Sequence, residues 1–367
     1  MSTDTVDVIR SGQDWQSLEA EHRALFAASP QASPPLTWEW LWHWWQVFGP
    51  VYGGPDALRV YTVRRAGELL GVLPLYLRRD GLTRRLCFVS TGEDRHEAVY
   101  PEYLDLLAAP GAADACLQAL RPVLFGRERD WDSLELLLVP AESPLLAWAQ
   151  DGLRGGLRWL TQRPCCQADL TGGLEAYFGR LSYKLRKKSR RYWREVGKAE
   201  LSLEVAADGE QALAFFEQLV ALNIARWTAR GESTPFSSPR VLDFHRRLLA
   251  ALAPGGTAVL SRVVWSGQPL AVLYGFVVGD KYDFYQSGVC TTGDGPLESP
   301  GTATQLQLMG WLAERGVATY DFLAGDSDYK LWLATGTRQL SLLRVARPTM
   351  GGLAFFGSLA WHKWRRR

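Results

Sequence analysis

A hairpin written twice, 200 positions apart, limits this chain to folds with two similar halves. The stretch LRVYTVRRAGELLGVLPLYLRR, from Leu58, is two apolar runs around a Gly-containing turn, the pattern of a β-hairpin. LSRVVWSGQPLAVLYGFVV repeats it, with Gly267-Gln268 in the place of Gly67-Glu68 and Leu270-Ala271-Val272 in that of Leu70-Gly71-Val72. A strand-helix-strand order recurs behind each hairpin. In the first half it reads Tyr103–Leu107, the helix CLQALRPVLFG and the strand Leu134–Val139. In the second it reads KYDFYQSGV, TATQLQLMGWLAERG and TYDFLAG. On this alignment Asp283 and Asp321 match Asp105 and Glu135, and the chain reads as a tandem duplication.

A length of 367 residues agrees, because one hydrophobic core rarely serves so many. With 47% apolar and 22% charged residues the composition is that of a folded globular protein. There are 41 basic and 39 acidic side chains, so no overall field marks a nucleic-acid binder. Any affinity for phosphate has to be local. The five cysteines include only one close pair, the neighbours Cys165 and Cys166, which lack the spacing of a metal hook. Reduced thiols and a cytoplasmic setting are the expectation. The N-terminus is acidic where an export signal is basic and then apolar, and no apolar stretch is long enough to span a bilayer.

The opening reads as a helix carrying Trp15, Leu18, Leu25 and Phe26, broken at Ser33–Pro35. A second helix follows with Thr37 as its cap, Trp38, Leu41, Trp42 and Trp45 on one face and Trp40 and Trp44 on the other. Such a tryptophan cluster is either core or the aromatic wall of a pocket. Between the halves, LEAYFGRLSYKLRKKSRRYWREVGK sets Leu181, Leu185, Tyr192 and Val196 on one helix face and surrounds them with Lys and Arg. Those cations are either a solvated face or a seat for phosphate.

Several chemistries lack their motifs: GxxxxGK, GxGxxG, HExxH and GxSxG do not occur, and the histidines at 22, 43, 96, 245 and 362 have no metal-ligand spacing. Acyl transfer from an activated ester to an amine needs neither metal nor triad, since positioning supplies most of the rate. Its requirements are an anion cradle and a carboxylate. Glu298-Ser299-Pro300-Gly301-Thr302 opens a helix after a strand, where free amides point outward and glycine admits close approach; plain capping by Ser299 has the same signature. The strand exit from Asp321 to Lys330 offers Asp326 to accept the amine proton, Tyr329 to donate to the leaving group and Lys330 to hold an anion. Asp326-Ser327-Asp328 also has the DxD spacing of a metal-dependent nucleotide-sugar transferase.

At SYKLRKKSRRYWREVGK, SPGTATQLQLMGWLAERG and YDFLAGDSDYKLWLATG the sequence resembles the FemAB and CelD-like branch of the GNAT acyltransferase superfamily, with Asp326, Tyr329 and Lys330 on its GDxxYK-like pattern. The resemblance implies an α/β protein of the α+β type, two tandem GNAT-like domains, each a mixed, mostly antiparallel sheet flanked by helices. It divides the chain into residues 1–170, a degenerate acceptor-side domain; 171–345, for donor binding and catalysis; and 346–367, a basic amphipathic tail. It implies acyl-CoA as donor, with aminoacyl-tRNA as the alternative, no metal, and an amine or hydroxyl acceptor on a small molecule, sugar or cell-envelope precursor. Catalysis falls to Asp326, Tyr329 and Lys330, and donor binding to Ser299, Gly301, Thr302, Lys184 and Lys188. The acceptor side takes Asp283, Tyr285, Arg226, Trp227, Tyr103 and His96. The tail, LAFFGSLAWHKWRRR, has the composition of a peripheral anchor at the inner membrane face or of a packed last helix. A non-catalytic scaffold of an envelope polysaccharide system is the competing reading.

Overall fold

The computed structural model describes residues 4–81, 83–126, 129–153, 155–198, 201–290, 296–325 and 327–364. The first half of the chain runs β1 (Thr5–Ile9), α1 (Gly12–Ser17), α2 (Glu19–Ala28), α3 (Trp38–Tyr52), β2 (Leu58–Arg65), β3 (Glu68–Asp80), β4 (Thr83–Phe88), β5 (Leu107–Ala108), α4 (Ala113–Phe125), β6 (Ser133–Pro140) and α5 (Pro144–Gly152). It continues with β7 (Leu157–Asp169), α6 (Gly173–Arg180), α7 (Tyr183–Lys198), β8 (Ser202–Val205), α8 (Gly209–Thr228), α9 (Pro239–Leu252), β9 (Ala258–Trp265), β10 (Gln268–Val278) and β11 (Lys281–Val289). Last come α10 (Pro300–Ala313), β12 (Thr319–Ala324), α11 (Asp328–Leu333), β13 (Gly336–Ala346) and α12 (Met350–Trp364).

Both repeated hairpins close on the same turn. Ala66 and Gly67 have φ of 50° and 88°, and Ser266 and Gly267 have 48° and 78°. Two consecutive positive φ values make a type I′ turn, whose twist matches that of the flanking strands. The turns set the register: Arg65 faces Glu68, and Trp265 faces Gln268.

The chain forms two compact units, the first made of Met1–Asp94, Ala98–Gln162 and Gln339–Arg367, the second of Arg95–Glu97 and Arg163–Arg338. In unit 1 the strands lie in the order β1-β2-β3-β4-β6-β13, with β5 beside β3. Every pairing is antiparallel except β4 with β6, where Arg85–Cys87 run parallel to Ser133–Glu135. Unit 2 repeats the plan as β8-β9-β10-β11-β12-β7, again with one parallel pair, Lys281–Asp283 of β11 against Thr319–Asp321 of β12.

These units divide the sequence differently from the expected boundaries at 170 and 345. The last strand of each sheet comes from the other half of the sequence: β13 pairs with β6 in unit 1, and the end of β7 pairs with β12 in unit 2. The helix α12 packs on β4 and β6 and so belongs to unit 1. The repeat also needs a correction. Tyr103–Leu107 is not the strand parallel to β6; that place belongs to β4, so the counterpart of Asp283 is Cys87 rather than Asp105, while Glu135 does match Asp321.

Packing follows the helical spacing read from the sequence. Leu181, Tyr192 and Val196 are buried in the core of unit 2, with Leu185 packed against it, among Tyr282, Phe284, Tyr320, Phe322 and the inner face of α10. Each such side chain contributes roughly 1.5–3 kcal/mol when fully buried. In unit 1 the Thr37 hydroxyl accepts from the Trp40 amide at 3.3 Å, and Trp38, Trp40 and Trp44 are buried, with Trp15 edge-on to Trp38 at 5.7 Å. The tryptophan cluster is core.

Candidate active site

In unit 2, β11 and β12 stay paired for three residues and then part. Two irregularities drive them apart. Tyr285 is an extra residue where β11 slips against β10, and Leu323 takes a φ of 59° where β12 slips against β7. A left-handed leucine costs roughly 1–2 kcal/mol, which the surrounding burial has to offset. Close packing holds the bulge from the side of β10: a Cβ on Gly275 would lie 2.4 Å from the Asp283 carbonyl oxygen.

The helix α10 begins beyond the end of β11. Ser299 precedes it, but its hydroxyl donates to the Thr302 hydroxyl at 2.9 Å and makes no capping bond to the backbone. The first turn therefore keeps outward-pointing amides, equivalent to about half a positive charge. Among the described residues, a Cβ on Gly301 would meet Val289, at 3.3 Å. The basic residue that reaches this helix start is Arg191, paired with Glu298 at 2.5 Å. Lys184 is exposed, and the Lys188 ammonium lies over the Trp332 ring at 3.4 Å. Arg191 belongs to the basic stretch read from the sequence, one helical turn after Lys188, and was not singled out within it.

At the exit of β12, the Gly325 amide donates to the Pro164 carbonyl at 3.2 Å, and α11 starts at Asp328. The Lys330 ammonium folds back and donates to the carbonyls of Ala324 at 2.8 Å and Leu323 at 3.3 Å. It holds the strand end in place. Tyr329 packs against the core beside Phe322, and burial pushes its phenol up to about 12 against the opposing pull of Ser327 and Arg226. It stays protonated at neutral pH. Asp326 lies outside the described residues.

The opposite face of β9, β10 and β11 is covered by α8. Contact is close at Gly288, where a Cβ would stand 2.5 Å from the Leu219 carbonyl oxygen. Asn223 donates to the Ser287 carbonyl at 3.0 Å and accepts from the Thr234 hydroxyl at 2.8 Å, fixing the chain after α8. Arg226 and Trp227 sit on the last turn of α8, with Arg226 near enough to Tyr329 to act on its charge and the Arg230 guanidinium over the Trp227 ring at 5.6 Å. Tyr285 lies on this face within an aromatic group of Phe216, Phe236, Tyr274 and Phe276, its hydroxyl 3.4 Å from His245 Nε2. Burial lowers His245 to about 3, so the ring is neutral.

Asp283 is engaged within the sheet. It pairs with the Lys281 ammonium at 2.8 Å, and Lys281 also meets Asp321 at 3.3 Å. Gln167 donates to Asp321 at 2.7 Å, and the Leu323 amide does so at 2.8 Å. Burial raises Asp283 to about 6 despite the pull of Lys281, because two buried carboxylates share one ammonium; Lys281 itself is raised, the carboxylates outweighing its burial. This network pins the parallel pair just before it parts. Tyr103 likewise serves packing: it is buried in unit 1, its amide donating to the Leu138 carbonyl at 3.0 Å. His96 is exposed in the short segment Arg95–Glu97, whose Glu97 accepts from the Ser238 hydroxyl at 2.8 Å and pairs with Arg240. The structure thus sets Tyr329 beside Phe322 on the α10 face, Arg226 and Trp227 on the last turn of α8, and Ser299, Gly301 and Thr302 at the helix start. Asp283 is held in the sheet network, and Tyr103 belongs to unit 1.

This geometry has close parallels. The acetyltransferase (GNAT) domain family matches residues 183–331. The crystal structure of FemX covers 92% of this chain and 96% of its own at 14% identity, with a TM-score of 0.58. The C-terminal domain of a putative lysylphosphatidylglycerol synthetase from Agrobacterium fabrum covers 95% and 97% at 11% identity and a TM-score of 0.54. The L-PGS structure from Bacillus licheniformis covers 86% and 90% at 10% identity, also with a TM-score of 0.54. No curated protein matches the chain. Parting parallel strands, a helix start beyond them and the family match agree: residues 183–331 match the GNAT acetyltransferase domain family, and the chain shares its fold with FemX.

Proposed function

We propose that the protein is an acyltransferase that moves an acyl group from a CoA thioester to an amine or hydroxyl on a small molecule, a sugar or a cell-envelope precursor. The observation that carries this reading is the parting of β11 and β12 beside a helix start with no side-chain cap. The amides of Gly301 and Thr302 take the pyrophosphate, the thioester lies between the strands, and the acceptor enters from the side of α8. The acceptor nucleophile attacks the thioester carbon, its proton passes to Asp326, and the carbon–sulfur bond breaks. Tyr329, protonated at neutral pH, donates to the leaving thiolate. Lys330 keeps the end of β12 in place. Aminoacyl-tRNA is the alternative donor, since FemX and the synthetase domain share the fold.

Calorimetry with CoA and assay of thiol release test the reading. Wild-type protein binds CoA, and Asp326→Ala lowers turnover by roughly 10² to 10⁴-fold with the fold intact. Turnover equal to wild type removes Asp326 from the mechanism; binding of neither CoA nor charged tRNA ends the donor reading.

The same proposal extends to a peripheral contact with the inner membrane face. α12 docks in unit 1 through Gly351, Gly352 and Phe355, the Thr83 hydroxyl donating to the Gly351 carbonyl at 3.1 Å. Its other side exposes Met350, Leu353 and Trp361 at helical spacing, and the sequence ends in Lys363 and three arginines. Among the described residues no helix is long and apolar enough to cross a membrane. The full chain is expected to float with phosphatidylglycerol vesicles and the double variant Leu353→Glu/Trp361→Glu to stay behind; equal flotation of both dismisses the contact.

A further inference from the structure

The charge of this chain is unevenly spread. Eight of the sixteen residues of α7 are lysine or arginine and one is acidic, whereas the whole chain carries a net charge of only +2. On α9 the exposed cations meet acids of the same or the next helix, Arg247 with Asp243 at 3.0 Å and Arg246 with Glu217 of α8 at 2.8 Å. On α7 they are set beside one another. Lys184, Lys187, Arg191 and Arg194 are exposed at spacings of 3, 4 and 3, which draws them into one stripe along the helix, with Arg191 shared between Glu298 and Glu195. Like charges one turn apart disfavour a helix, so contact with water alone gives no reason to collect them. At 1.5 Å per residue the stripe is about 15 Å long.

Position and length then narrow the partner. The Arg191–Glu298 pair puts the stripe against the start of α10, where the reading above places the donor's phosphate, and Lys188 on its flank covers the Trp332 ring of α11. A donor held through one diphosphate needs cations at the helix start, not a row of them leading away. The row suits a donor whose negative charge is spread over a surface, which a bilayer, a nucleic acid or an acidic protein offers. The apolar face of α7 is turned into the core, with Leu185, Tyr192 and Val196 packed there, so the helix has nothing to sink into a bilayer. RNA bears an acyl group as an ester, whereas the proposed donor is a thioester. What remains is a protein that carries the thioester on the same phosphopantetheine arm as CoA. An acidic helix on its docking face sets carboxylates at the same spacings of three and four, and Leu331 and Trp332, exposed on α11, supply apolar contact for the interface.

We infer that the acyl donor is delivered on an acidic carrier protein, its phosphopantetheine phosphate at the start of α10 and its acidic helix along Lys184, Lys187, Arg191 and Arg194. The inference rests on the thioester reading above. The transfer balances as it does with CoA: the acceptor's bond to the acyl carbon forms, the carbon–sulfur bond breaks, and the carrier leaves as its free thiol with the acceptor's proton. It is tested by titrating the full chain at low ionic strength with the holo form of the acidic acyl carrier protein of fatty-acid synthesis, with its apo form, which lacks the arm, and with free phosphopantetheine. The holo carrier binds at least tenfold more tightly than either, and the advantage shrinks as salt is raised. Lys187→Glu/Arg194→Glu removes that advantage with CoA affinity unchanged. Its melting temperature is equal or higher, because each new carboxylate stands one turn from cations that repelled the old side chain. The inference is overturned if the holo carrier binds no better than free phosphopantetheine, or if the double variant keeps the advantage. It is overturned equally if transfer RNA or phosphatidylglycerol vesicles bind and lose binding in that variant while the carrier does not bind. CoA binding without carrier binding leaves the thioester reading standing; binding of neither CoA, phosphopantetheine nor carrier defeats that reading itself.

Discussion

Unit 1 and unit 2 part the same pair of strands, and then use different lengths of chain to deal with the gap. In unit 1 the connection between β4 and α4, residues 89–112, is long enough to return along β6. There Tyr103 donates to the Leu138 carbonyl, Ser33 donates to the Tyr103 carbonyl at 2.8 Å, Ser143 donates to Asp105 at 2.7 Å, and Val99, Leu104 and Leu106 are buried. In unit 2 the connection is residues 290–299, and the end of β12 is held from the other side by Lys330. Both units keep the backbone device itself, a left-handed leucine at 138 and at 323 with φ near 60° in each. The comparison teaches that the same parting of strands can be packed by its own connection, with the sheet unchanged.

The largest expected effect tests the filled crevice. Leu104→Ala removes a side chain buried among that connection and should cost about 2–5 kcal/mol, read by chemical denaturation. CoA affinity should not change. If it rose, or a second CoA bound per chain, unit 1 would be an occluded donor site rather than a packed one.

A smaller effect sharpens the difference between the two helix starts. Gly301→Asp sets a carboxylate at the head of α10 and should weaken CoA by roughly ten- to a hundredfold, about 1.4–2.7 kcal/mol. Ala112→Asp, at the head of α4, should leave CoA affinity as it was. Equal losses in the two variants would contradict the assignment of the donor to unit 2.

The smallest effect concerns the buried charges that pin each parallel pair. Unit 1 uses Arg85 and Arg344 on Glu135; unit 2 uses Lys281 between Asp283 and Asp321. The folded protein holds Asp283 at about 6, above its unfolded value, so this group favours the folded state below about pH 4, and the contribution is lost as pH rises through 6. Asp283→Asn cannot ionise, so its stability relative to wild type should rise between pH 4 and 7. Parallel pH profiles would show that Lys281 fully offsets both carboxylates.

Much of this fold was legible because its causes are local. The turns at Ala66-Gly67 and Ser266-Gly267 follow from which residues accept positive φ, and the buried faces of α3 and α7 follow from the helical period of their apolar residues. The helix start at Ser299–Thr302 was found from its Ser-Pro-Gly sequence for the same reason. What misled the reading of the first half was also physical. Tyr103–Leu107 is as apolar as a strand because it fills a gap, and period alone does not separate a strand from buried connecting chain. Lys281 and Gln167 gave no signal, since each owes its role to a partner far away in the sequence.

The sequence by itself determined that there are two similar halves, where their hairpins turn and which helix faces are buried, since each depends on residues a few positions apart. Only the tertiary structure decided that β13 completes the first sheet and the end of β7 the second, and that unit 1 closes its own crevice. Those outcomes depend on which distant segments meet. A strand edge will accept any chain of suitable pattern, so the choice among candidates is made by the folded whole.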